Sequence, residues 1–414
     1  MRILNVFKLR KDGFVKILGI FLTLSSIAGF FHFGILYYIT LGLFGLMMIY
    51  DLTKQGTKAN PFIIAFLVFC VLSLIVNDTP AYFNAWGRLG VYILVLFVVS
   101  PMLSNPSTGT KRTKLLMYVM DVCIILSVLS FFCYFLGINL FVRLGQQLEI
   151  GVGSFSGLMN HSMKLGPISG LSSVVLLSYC LCENNKRLRI MYIAALFCCL
   201  GSCMLASSRI AVGAAVVGCV FVLFLRFRSN LTKFSIVLLL IVAIAGITFP
   251  IWGGLTDFLV EKQQGNIELG GSTLYSRERK INARIAEFKS SPVVGIGFAS
   301  VDPQLDVVNF SNGQIEPGTS WLAILSMTGL LGISAFLLIC FFMFKKVMSV
   351  QNMFFSCALG GMFVFYLVHL AAEGYIMAPR SFLNMLFWLI VGAIQGQVNN
   401  KKQLIRKKVN KTLK

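Results

Sequence analysis

A succession of apolar stretches, separated by short polar runs, limits what this 414-residue chain can fold into. Each stretch is about 17–25 residues long, enough for a helix to cross a hydrocarbon core of roughly 30 Å. In that solvent every backbone polar group needs a partner within its own segment, so a helix is the element such a stretch can form. Twelve spans are expected, at roughly 14–31, 34–50, 60–77, 84–104, 115–137, 164–182, 190–207, 209–226, 233–251, 319–344, 354–377 and 381–397. The fold class that follows is an all-α polytopic membrane protein with about 12 transmembrane helices. Its length suits a single integral domain over residues 1–414.

The formal net charge of +21 could point to nucleic acid. The placement of the charges excludes that class. With the N-terminus inside and the spans alternating, each inner segment carries at least two basic residues, such as Lys54 and Lys58, Lys111 to Lys114, Lys186 to Arg189, and the tail from Lys401 onward. The outer turns near 32, 78–83 and 207 carry none. This is the positive-inside pattern, and it puts both termini in the cytoplasm. The basic "MRILNVFKLRKDGFVK" is read as retained, because no small-residue cleavage site follows it. All 11 cysteines lie in apolar segments without zinc spacing, as small apolar filler.

The basic residues left over fall at the outer side or at outer span ends. Arg277, Arg279, Lys280, Arg284 and Lys289 share one large outer loop, about residues 252–318, between spans 9 and 10. Within it, "LYSRERKINARIAEFKSS" reads as an amphipathic helix. Ile281, Ile285 and Phe288 form an apolar stripe, and Arg277, Lys280 and Arg284 a basic ridge on another face. Pro292 stops the helix, and Gly295 and Gly297 allow a close-approach backbone. Such a helix would lie at the outer membrane surface.

Further positive groups open other spans: Arg88 in span 4, His161 and Lys164 in span 6, Arg209 in span 8, and Arg380 in span 12. Arg209 stands among Ser207, Ser208, Ala211, Gly213 and Ala214, small residues that let a helix pack closely and turn its arginine into the bundle. Ordinary lipid head groups could engage any one of these positive groups. Together they suggest an anion cradle, for which the planar, permanently charged guanidinium suits phosphate oxygens. A lipid-linked pyrophosphate is the sharper candidate. Acids are scarce on that side, and Glu316, just before span 10, is the first choice of general base. The sequence has no GxSxG, no phosphate-binding glycine loop and no metal-ligand spacing, so catalysis without metal or other cofactor is expected, with arginines stabilising a leaving pyrophosphate.

Four stretches in chain order resemble the O-antigen polymerase and ligase superfamily, over about residues 155–395. "HSMKLG" keeps His161, Leu165 and Gly166 of the family's H-x-N-x-L-G, with Met163 in place of Asn. "SSRIAVGAA" carries Arg209 after small polar residues. Arg277 precedes Pro292, Gly295 and Gly297 at the family's Arg-to-P-x-x-G-x-G spacing. "GTSWLAILSMTGLLG" keeps Trp321, Leu322, Gly329 and Gly332, but Gly318 and Thr319 replace a His-Asn pair. The resemblance implies a GT-C-like transferase at the outer face of a bacterial plasma membrane. Its donor would be an oligosaccharide on undecaprenyl pyrophosphate and its acceptor a second lipid-linked repeat unit. Arg209 and Arg277 would hold the pyrophosphate, with Arg88, Arg279 and Arg284 as further candidates; a chain-length regulator and a flippase would be working partners, along with membrane lipids. The missing His favours a repeat-unit polymerase over a ligase. A lipid-linked oligosaccharide flippase is the rival of another class, but flippases of that kind lack a large outer loop between spans 9 and 10.

Overall fold

The computed structural model describes residues 13–31, 33–54, 56–77, 84–141, 149–150, 155–252, 275–305 and 317–412. Along them run α1 (Gly13–Ile27), α2 (Gly34–Lys54), α3 (Pro61–Val76), α4 (Ala85–Val99), α5 (Pro106–Phe135), α6 (Ser162–Cys182), α7 (Lys186–Leu205), α8 (Arg209–Phe227), α9 (Leu231–Trp252), α10 (Tyr275–Ser290), α11 (Ser320–Met348), α12 (Met353–His369) and α13 (Phe382–Thr412). Each expected span coincides with a helix, and α10 is the loop helix. Among the described residues, seven helices can cross a membrane by length and composition: α2, α5, α6, α7, α8, α11 and the Phe382–Asn399 part of α13. Apolar helices of shorter length make up α1, α3, α4, α12 and the Leu231–Ala243 part of α9. The chain is a multi-pass membrane protein.

Some element edges differ from the expectation. α5 begins at Pro106 rather than near 115, because proline suits a first helical turn and the basic run Lys111–Lys114 continues the helix beyond its apolar part. α12 ends at His369 rather than near 377, since residues 370–381 form turns around Gly374 and Pro379. Starts are set by side-chain caps. Asn60 accepts from Phe62 N–H, Asn84 from Gly87 N–H, and Asn185 from Arg187 N–H. Between helices, Lys58–Ala59 pairs antiparallel with Leu103–Ser104, and Leu140–Phe141 with Glu149–Ile150.

Backbone packing divides the chain into two compact units. The first comprises Met1–Thr40, Lys114–Glu268 and Val347–His369. Its centre is α6, α8 and α12, which approach through small residues as membrane helices do. A Cβ placed at Gly361 of α12 would lie 2.4 Å from Val222 of α8 and 2.5 Å from Val174 of α6. One at Gly166 would lie 2.9 Å from Ser208. Ser202 of α7 donates to the Ser127 carbonyl of α5 at 2.8 Å, closing a polar pair inside apolar surroundings.

The second unit comprises Leu41–Thr113, Leu269–Lys346 and Leu370–Lys414. Its core is aromatic. Phe66, Tyr92, Phe298, Phe336, Phe387 and Trp388 are all buried, with rings such as Tyr92 and Phe298 5.2 Å apart. At the far end of α4, the buried Arg112 donates to the carbonyls of Phe97, Val98 and Leu103 at 3.0–3.1 Å. It thereby serves the carbonyls that a helix C-terminus leaves without intrahelical partners. Asp51 pairs with Lys111 at 2.9 Å and accepts from Ser107 at 2.8 Å.

Candidate functional site

In the first unit the structure gathers His161, Lys164 and Arg209. His161 is the N-cap of α6, its Nδ1 accepting the Met163 N–H at 3.1 Å, and its ring lies 4.8 Å from that of Phe141. Lys164, one turn in, donates to the Ser26 carbonyl at 2.8 Å. An ammonium has three donors, so that bond leaves capacity for an anion. Arg209 opens α8 and is half-buried. Gly166 and Ser208 bring the first turns of α6 and α8 side by side. Two helix N-termini, each with a positive end of its dipole, thus share one end of the unit with these cations. The small residues after Arg209 do what their composition foretold: Ala211, Ala214 and Ala215 are fully buried.

In the second unit Arg88 and Arg380 come together. Their charges act on each other, the rings of Tyr92 and Trp388 both border that of Phe66, and Val99 meets Gly392. These contacts climb in the same order along α4 and α13, so the two helices run parallel. Arg88, in the first turn of α4, is half-buried, and Arg380, just before α13, is exposed. Two like charges held together repel, and an anion bridging them relieves that repulsion. The turn that carries Arg380 is pinned by Ser320 at the start of α11. Ser320 N–H donates to the Leu370 carbonyl at 3.0 Å, its hydroxyl donates to the Glu373 carbonyl, and that same oxygen accepts from Ile376 N–H at 3.2 Å.

The loop helix α10 corrects the sequence reading of its faces. The expected apolar stripe is not the buried face: Ile285 is 37% exposed. Ala283, Arg284 and Glu287 are buried instead, with Lys280 half-buried beside Gly318. Arg284, expected on a basic ridge for anionic groups, is 0% exposed and pairs with Glu287 at 2.8 Å. The physical reason is neutralisation. Opposite charges at i and i+3 can enter together, and the Asp302 N–H donates to Glu287 Oε1 at 2.9 Å. Glu278, Arg279, Asn282 and Lys289 form the exposed face. Burial pushes the Glu287 carboxyl up to about 6, against the opposing pull of Arg284, the Asp302 N–H and Ser326; the Asp302 carboxylate adds to the rise.

After α10, Pro292–Gly297 forms a tongue joined to a break in α11. At that break Gly329 has φ +63° and ψ −162°, outside the helical region. Leu330 and Leu331 N–H donate to the Pro292 and Val293 carbonyls at 2.9 and 3.2 Å. Ile296 and Gly297 N–H donate to the Ser326 and Met327 carbonyls at 2.8 and 3.2 Å. A Cβ at Gly295 would sit 2.4 Å from Met327, and one at Gly329 2.2 Å from the Val293 oxygen. The glycines of "PVVGIGF" and "MTGLLG" are therefore two halves of one joint. Phe298 then enters the aromatic core, its N–H donating to Ser73 Oγ of α3 at 3.1 Å.

Arg277 lies in the first turn of α10, in the second unit, whereas Arg209 belongs to the first. Glu316, the expected base, lies outside the described residues. Glu287, Ser326 and Ser320 escaped the sequence reading as site residues. The Arg284–Glu287 spacing was the one signal that could have found the first of them. Among the described residues no group of three His, Cys, Asp or Glu side chains gathers as a metal-ligand set. Residues 194–337, which hold Arg209, the loop helix, the tongue and the break in α11, match the family model described as O-antigen ligase. No curated protein matches the chain.

Proposed function

Because the chain is a member of the O-antigen polymerase and ligase superfamily through residues 194–337, and so a membrane glycosyltransferase of that kind, we propose that it is the repeat-unit polymerase of a bacterial surface polysaccharide. The donor is a glycan on undecaprenyl pyrophosphate, and the acceptor a hydroxyl of a second lipid-linked repeat unit, at the outer face of the plasma membrane. The observation that carries this reading is the family match over the segment containing both Arg209 and Arg277. In the reaction the acceptor oxygen bonds to the anomeric carbon of the donor sugar as the bond from that carbon to the phosphate oxygen breaks. The hydroxyl proton passes to a base, and undecaprenyl pyrophosphate leaves. Glu316 is our candidate base.

In this reading, guanidinium groups hold the pyrophosphate and offset its growing charge without metal, a type of stabilisation worth several kcal/mol in other enzymes. Arg209 and Arg277 are our first candidates for this role, with His161, Lys164, Arg279, Arg88 and Arg380 as further ones. Polymerase is favoured over ligase by position 318. A ligase-like His would stand there, but Gly318 has φ +80°, and a Cβ would come within 3.0 Å of the Lys280 Cβ. The test is reconstitution of the purified chain with one lipid-linked repeat unit. A ladder of products is expected. Transfer only to a different acceptor would make it a ligase, and movement across the bilayer with no new glycosidic bond would make it a flippase. Full-rate polymerisation by both Arg209→Ala and Arg277→Ala would refute the site.

A further inference from the structure

We propose that Arg284 and Glu287 are positioning residues: as a buried pair they lock the loop helix α10 to the Phe298–Asp302 segment, and so fix where its exposed arginine stands for an anionic substrate. The inference rests on the transferase reading given above.

The pair ties together elements that are distant in sequence. Glu287 Oε1 takes Arg284 Nη2 at 2.8 Å and the Asp302 N–H at 2.9 Å. Ser326 of α11 lies close to the Glu287 side chain, and its carbonyl takes the Ile296 N–H at 2.8 Å. Asp302 follows Phe298, which is anchored on α3 through Ser73 and packs on Tyr92 of α4. One carboxylate thus connects the helix that bears Arg279 to the wall from which Arg88 projects.

Stability alone does not explain such a pair. Buried ion pairs are often matched or bettered by apolar side chains of similar volume, because desolvation offsets their attraction. What an apolar pair lacks is direction. It cannot accept the Asp302 N–H, and it does not resist rotation of α10 about its axis. Both side chains are 0% exposed, so neither contacts substrate directly in this arrangement. They act through Arg279 and the exposed face.

The double variant Arg284→Met/Glu287→Leu removes the pair without stranding a charge. Two readouts are compared with wild type: ladder synthesis across donor concentrations, and hydrogen exchange of the amides of residues 298–305. The double variant is expected to purify as a folded protein, with faster exchange at Asp302. Its donor KM should rise about tenfold or more, the range set by losing a charged hydrogen bond, with kcat changed less. Glu287→Asp, which keeps the charge, should recover part of that KM. A double variant with wild-type KM, or with unaltered exchange at Asp302, would overturn the proposal. If the wild-type protein synthesises nothing, it is the transferase reading that fails, and the exchange comparison still decides whether the pair holds the segment.

Discussion

Replacing Gly329 by alanine tests the joint between the tongue and α11. The native φ of +63° with ψ of −162° is a conformation that L side chains rarely adopt, costing on the order of 1–3 kcal/mol. The new Cβ would lie 2.2 Å from the Val293 oxygen, which is backbone and cannot rotate away. If the tongue withdraws to make room, the bonds from Leu330 N–H and Leu331 N–H are lost, at about 1 kcal/mol each. The expected destabilisation is therefore about 3–5 kcal/mol. Gly213→Ala is the control. It lies in α8 with nothing within 4 Å of its added Cβ, so it should be neutral or slightly stabilising. Thermal unfolding of the purified protein in detergent, followed by loss of monodisperse material, reads both. Gly329→Ala should unfold well below wild type and Gly213→Ala close to it. Equal midpoints for the two variants would refute the joint and the role assigned to these glycines.

Arg88→Ala and Arg380→Ala should each weaken donor binding by about 10- to 100-fold, and the double variant by less than the product, because the two share one anion; steady-state KM values complete the cycle. Burial raises the Glu287 pKa from 4.5 to about 6, so the folded state takes up the proton more readily than the unfolded one. The contribution, about 2 kcal/mol, is fully present below the unfolded value and is lost as pH rises through about 6; melting of wild type against Arg284→Met/Glu287→Leu between pH 4.5 and 7.5 should show the difference vanish in the variant. Gly361→Leu should prevent α12 from seating on α6 and α8, giving a protein that aggregates on extraction. The buried thiols of Cys70, Cys199 and Cys357 should resist maleimide until the protein is unfolded, which mass spectrometry of labelled peptides can read.

The sequence by itself determined the membrane helices, because the apolar length needed to cross a bilayer is a local property, written in consecutive residues. It determined the existence of α10 and its end at Pro292 for the same reason: periodicity and a missing N–H act within a few residues. It also placed small residues after Arg209, and these became the packing face of α8. It misjudged which side of α10 is buried. Hydropathy treats Arg284 and Glu287 as two costs, whereas in the tertiary structure they cancel each other and take the Asp302 N–H as well. Nor could it show that Gly295 and Gly329 belong to one joint, since the contact spans a loop and depends on two backbones approaching where no side chain fits. The meeting of Arg88 with Arg380 likewise follows from two helices running parallel. Local physics gives the elements; which charges share a place is set by packing between segments far apart in the chain.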